Sequence, residues 1–170
     1  MYIYALSSGR GPSGIAIVRI SGNETLKICE NLTKLKKIKS NEVNFCKFYD
    51  PKNNNVIDPE ALLLWFPGPN SYTGQDLGEL QIHGSNAVIN ALLSVLSEQK
   101  NCRIAEPGEF TKLAFQNDKI DLLKAESIGD LIHSETELQR QQAIKLVQGN
   151  ASNYYNDLRE KIIKSLAFIE

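Results

Sequence analysis

Residues 107–132 read PGEFTKLAFQNDKIDLLKAESIGDLI, and two styles of sequence meet inside this stretch, near Asn117-Asp118. Upstream, short runs of β-branched and aromatic residues are separated by Gly, Pro and Asn. Downstream, Gly and Pro almost vanish, and apolar residues recur every three or four positions. The change predicts an α+β chain in two parts, a β-rich domain over residues 1–118 and a helical part over residues 119–170.

In the first part, residues 2–7, 14–20, 44–49, 61–66, 77–83 and 102–105 read as strands from their composition. Three helices are expected between or after them. Asn23 is placed to cap a segment with Leu26, Cys29 and Leu32. Ser85 or Asn86 opens one with Val88, Ile89, Leu92, Leu93 and Leu96. Pro107 suits the first turn of a third with Phe110 and Leu113. In the second part, residues 121–133 carry Leu122, Ala125, Ile128 and Ile132 on one helical face, and Ser134 to Glu137 has capping-box spacing for a new helix. Gly149-Asn150 punctuates the pattern. The stripe Tyr155, Leu158, Ile162, Leu166 and Ile169 asks for a partner helix and is still running at Glu170. The chain is therefore expected to stop inside a helical domain, with a helical hairpin on the first domain as the alternative.

A length of 170 residues, 42% of them hydrophobic, suffices for one core and an appendage. The formal net charge of -1 gives no overall basic field, so any RNA contact has to be local. The only concentrated basic run, Lys34 to Lys39, reads as a solvated loop between a helix and a strand, with local contact to RNA phosphates as its other meaning. Met1 is followed by Tyr2-Ile3-Tyr4 with no basic leader or cleavage site, and no apolar run could span a membrane. Cys29, Cys46 and Cys102 are odd in number and widely spaced, fitting neither a disulfide framework nor a zinc site; they read as small buried apolar residues in a reducing, cytoplasmic compartment.

Three segments carry candidate chemistry. In the first, Gly9, Gly11 and Gly14 lead into IAIVRISG, but no helix follows, so this is not a dinucleotide fingerprint. Strand alternation puts Arg19 on the face of Ile15 and Ile17, where a guanidinium needs an acceptor; a structural ion pair and a ligand contact both supply one. The second segment, residues 64–84, reads LWFPGPNSYTGQDLGELQIHG: a Pro- and Gly-shaped loop followed by a strand with Leu77, Glu79, Gln81 and His83 on one face. Glu79 and Gln81 fit a solvated face or the edge of a heterocycle. His83 has no neighbouring His or Cys, which argues against a metal ligand. The third segment brings Lys119 to the junction of the two parts, as a hinge or capping lysine or as the wall of a cleft.

Taken together, GRGPSGIAIVRISG, the 64–84 segment, the 107–132 segment and the later LVQG resemble, in order and spacing, the MnmE (TrmE) family of tRNA-modifying GTPases, over nearly the whole chain. The resemblance implies a tetrahydrofolate-binding domain with a mixed sheet, similar to that of folate-dependent aminomethyltransferases, followed by the start of an all-α domain. It also implies a homodimer and a flavoprotein partner, MnmG (GidA). With that partner the family modifies wobble uridine of tRNA at carbon 5, using a one-carbon unit from 5-formyltetrahydrofolate or methylene-tetrahydrofolate. The family's folate contacts fall on Arg19 in IVRISG, Glu79 in GELQ and Lys119 in FQNDK. A carboxylate can accept the paired donors of a pterin, and Arg or Lys can pair its anionic tail.

The chain departs from the family pattern in two places. No G-x-x-x-x-G-K-[ST] occurs in the 170 residues, and the family's C-terminal cysteine motif is missing. GTP, with its magnesium and potassium, is therefore expected to be used only by a GTPase domain outside these residues, and this chain alone is expected not to hydrolyse it; no residue here is assigned a catalytic or metal-binding role. A folate-dependent aminomethyltransferase and a non-catalytic dimerisation or RNA-binding module are the alternatives.

Overall fold

The computed structural model describes residues 2–9 and 11–168. Met1, Arg10, Ile169 and Glu170, on which the leader, glycine-loop and helical-stripe readings partly fall, lie outside the described residues. The chain divides into two compact units, Met1–Ala114 and Phe115–Glu170.

The first unit holds strands β1 (Tyr2–Leu6), β2 (Ser13–Ser21), β3 (Val43–Tyr49), β4 (Val56–Phe66), β5 (Leu77–Gly84) and β6 (Cys102–Ile104), with helices α1 (Thr25–Thr33), α2 (Asn86–Ser97) and α3 (Glu109–Gln116). The strands form one mixed sheet in the order β3-β4-β5-β2-β1-β6, antiparallel except for the β1–β6 pair. Alternation sends Val18 and Ile20 of β2, Leu63 of β4 and Leu80 and Ile82 of β5 to one face, where they meet Leu32 of α1 and Leu92 and Leu96 of α2. Full burial of each such side chain contributes about 1.5–3 kcal/mol. Gly78 lets α1 approach the sheet, since a Cβ there would lie 3.1 Å from Cys29 Sγ and 3.2 Å from Thr25 Cγ2.

The expected strands and helices are present, with corrections at their ends. β4 begins at Val56, five residues before the expected start. Asn23 does not cap α1; the cap position is Glu24, without a side-chain cap bond, while the Thr25 hydroxyl donates to Gly22 O at 2.8 Å. Ser85 does cap α2, accepting from Val88 N. Pro107 precedes α3 rather than entering its first turn. The basic run is less solvated than its charge suggests, because Ile38 is buried and Leu35 packs against the core. Buried Asn44 fixes the same loop: its Oδ1 accepts from Lys39 N at 2.9 Å, and its Nδ2 donates to Lys39 O at 3.0 Å.

The second unit holds α4 (Leu122–Ile132), α5 (Glu137–Val147) and α6 (Asn150–Ala167). Ser127 and Ala143 are its buried small side chains, and α4 and α5 pack together. Asp121 caps α4 by accepting from Lys124 N. The capping box of α5 is Thr136 with Gln139, not Ser134 with Glu137. On α6, Tyr155, Leu158, Ile162 and Leu166 are all exposed. Among the described residues, no helix is long and apolar enough to cross a membrane.

Candidate ligand-binding site

The register of the sheet assembles the site. On the face turned away from α1 and α2, Ile3 pairs with Ser21, Ser21 with Leu77 and Leu77 with Phe66, forming one row. The next row on this face runs Ala5, Arg19, Glu79, Leu64 and Val43, and the next Ile17, Gln81, Leu62 and Phe45. Ile3, Ser21 and Leu77 are buried, whereas Val43 and Phe45 stand open at 59% and 68% exposure. Arg19 and Glu79 thus occupy the border between a covered and an open part of one sheet face.

The loop between β4 and β5 covers the buried end. Asp76 Oδ1 accepts from Gly68 N at 2.9 Å, and Ser71 Oγ donates to Gln75 O. A Cβ at Gly68 would sit 3.0 Å from Gly74 O, so glycine permits this close return of the chain. Thr73, fully buried, holds the loop to β2 through a 2.7 Å hydroxyl contact with Ser21 Oγ. This anchoring brings Tyr72 over Arg19, with the guanidinium carbon 5.5 Å from the ring centroid. Phe110 of α3 lies at 5.6 Å. Tyr72 Oη and Thr111 Oγ1, 2.9 Å apart, tie the loop to α3. The start of α3 is fixed in turn by Arg103, whose guanidinium pairs with both carboxylate oxygens of Glu109; that pairing, above all its hydrogen bonds, holds Glu109 below the usual carboxylate range.

Arg19 donates through Nε at 3.1 Å and through Nη2 at 2.6 Å, both to Oε1 of Glu79. Among the described residues, no hydrogen bond engages Oε2 of Glu79 or Nη1 of Arg19. The side chains keep 19% and 27% of their surface. The pair therefore offers one free carboxylate oxygen and one free guanidinium N–H side by side, framed by two aromatic rings. Such a site suits a flat, polar ligand with neighbouring donors and an acceptor or anion.

A cleft of about 670 Å³ opens beyond the ends of β1 and β6 and is bounded by Ser7, Ser8, Asn86, Asn90, Glu106 and Phe110. It meets the charged pair only through Ala5, opposite Arg19, and Phe110. Of the three residues singled out from sequence, Arg19 and Glu79 are brought into direct contact. Lys119 belongs to the second unit, in the exposed turn between α3 and α4. Tyr72, Phe110 and Thr111 escaped sequence reasoning as site residues, although the first lies in the quoted loop and the other two in the quoted helix. Among the described residues, no cluster of three His, Cys, Asp or Glu could hold a metal ion.

Comparison with known proteins finds two family models that match the chain. The family described as "GTP-binding protein TrmE N-terminus" matches residues 2–119, and the one described as "MnmE helical domain" matches residues 122–170. The tRNA modification GTPase MnmE of Pelagibacter ubique (strain HTCC1062) is 55% identical over 170 residues, covering 100% of this chain and 38% of the relative. Proteins of the same name from Brucella anthropi and Brucella canis are 45% and 44% identical over 168 residues, covering 99% of this chain and 37% of each relative. The chain thus spans less than two fifths of the length of these relatives.

Proposed function

This chain belongs to the MnmE family of tRNA modification GTPases, and from that premise we propose that its first unit binds a reduced folate at the Arg19–Glu79 pair. The observation that carries this reading is the cross-strand contact itself, with Glu79 Oε2 and Arg19 Nη1 left available beneath Tyr72 and Phe110. Glu79 Oε2 accepts from the donor edge of the pterin, and the rings frame the flat heterocycle. Arg19 takes an acceptor or carboxylate of the same ligand, and the family resemblance carries a second cationic contact onto Lys119. The ligand is 5-formyltetrahydrofolate or methylene-tetrahydrofolate.

The wider reading follows from the relatives' name. In the longer protein, the bound folate supplies a one-carbon unit for modification of tRNA wobble uridine at carbon 5, together with the flavoprotein MnmG. GTP turnover, with magnesium and potassium, belongs to a part that this chain does not span, since no phosphate loop occurs in its sequence. A second copy of the chain packs on the β3 end of the sheet, at the exposed Val43 and Phe45, and makes a homodimer.

Calorimetry with 5-formyltetrahydrofolate tests the folate reading. Glu79→Gln replaces an acceptor oxygen by a donor without opening a cavity, and should weaken binding by about 1–3 kcal/mol, or roughly five- to 150-fold. Unchanged affinity in both Glu79→Gln and Arg19→Ala, with the fold preserved, would put the ligand elsewhere.

A further inference from the structure

Beyond the Arg19–Glu79 pair, His83 on the same sheet face takes part in a second polar device, built on a residue that sequence reading passed over. Asp58, in β4, is 0% exposed. Its carboxylate accepts from His83 N at 2.7 Å and from Glu60 N at 3.1 Å, and both its oxygens lie within 3.0 Å of His83 Nδ1. An acceptor-only carboxylate in that position makes Nδ1 the protonated nitrogen, so the neutral ring keeps its lone pair on Nε2. The imidazole itself is largely open, with 58% of its side-chain surface exposed.

His83 borders a small cavity of about 150 Å³, shared with Gly14, Ile15, Glu60, Leu62 and Gln81. The charged groups about the ring are Asp58 and Glu60 of β4 and, on β5 itself, Glu79, which is paired to Arg19. β2 contributes only uncharged Gly14 and Ile15 to the cavity. This corner is rich in acceptors and suits a ligand N–H rather than an anion. Glu79, Gln81 and His83 alternate onto one face, placing His83 about 13 Å along the strand from Glu79 at about 3.4 Å per residue. That distance suits the reach from the amino edge of an extended pterin, across its aminobenzoyl ring, to the amide N–H that follows.

We infer that the ligand-binding face continues along β5 to His83, whose Nε2, aimed by Asp58, accepts a hydrogen bond from an N–H in the aminobenzoyl-glutamate half of the folate. This rests on the folate reading above and adds a second, distal point of recognition. It makes His83 a specificity-determining residue, selecting a folate with an intact tail over a bare pterin.

The test is calorimetry of the 170-residue chain with 5-formyltetrahydrofolate and with a tetrahydropterin lacking the aminobenzoyl-glutamate tail. His83→Asn suits it because the Asn amide retains a donor near the position of Nδ1, so Asp58 keeps a partner, while the outward acceptor is lost. The variant should bind 5-formyltetrahydrofolate about five- to tenfold more weakly and the tail-less pterin as well as the parent does. If Glu79→Gln weakens binding but His83→Asn leaves affinity for the complete folate unchanged, the folate reading stands and this inference is overturned. If the folate produces no heat with the parent at all, both fall.

Discussion

Arg19 meets Glu79 because two strands sixty residues apart in sequence pair in one register, and its exposure is limited because Tyr72 and Phe110 arrive from two other segments. Strand alternation shows from sequence that Arg19 needs an acceptor; only the register shows which one. Asp58 was harder to find, because its partner His83 lies 25 residues away and β4 pairs irregularly with β3 around it. The cysteines were legible as packing residues. Burial, the main cause in each case, pushes the thiols of Cys29, Cys46 and Cys102 up to about 12, about 11 and about 11. They should therefore stay protonated and react slowly with a disulfide reagent in the native protein at pH 8, then react fully in denaturant. Fast native labelling of Cys29 would contradict the packing described here.

At the level of elements, the sequence placed nearly every strand and helix, and its errors fall where one pattern permits two readings. Ser134 with Glu137 and Thr136 with Gln139 both satisfy capping-box spacing; the chain uses the second, while Ser134 Oγ donates back to Leu131 O at 2.8 Å. Thr136→Ala should consequently cost about 1 kcal/mol in denaturant unfolding, and Ser134→Ala distinctly less. The reverse order would mean that α5 starts two residues earlier. The first half of β4 was missed for a different reason. Asp58 and Pro59 are poor strand formers, and they are accommodated where the ladder to β3 shifts register.

For the molecule as a whole, two groups of exposed apolar residues each share one face, and neither could be assigned an occupant from composition. One is the stripe on α6. The other is the β3 end of the open sheet face, where Val43 and Phe45 are 59% and 68% exposed. If the second surface meets a second copy, Phe45→Glu should turn a dimer into a monomer in sedimentation at micromolar concentration, while far-ultraviolet circular dichroism stays that of the parent. A parent that is monomeric throughout that range, or a variant that still dimerises, would count against this face.

The parallel pairing of β1 with β6 has a consequence for how the molecule is made. Tyr2 lies opposite Cys102, and Tyr4 opposite Ile104, so β1, between β2 and β6, joins partners from distant parts of the chain. Closing a loop of that length costs conformational entropy before the contact returns any stabilisation, which favours slow folding. On the ribosome, β1 must wait beside β2 with one edge unsatisfied until α2 and β6 have been synthesised and have left the exit tunnel. Emergence of residue 104 from the tunnel is thus the earliest moment at which the sheet can acquire its last strand.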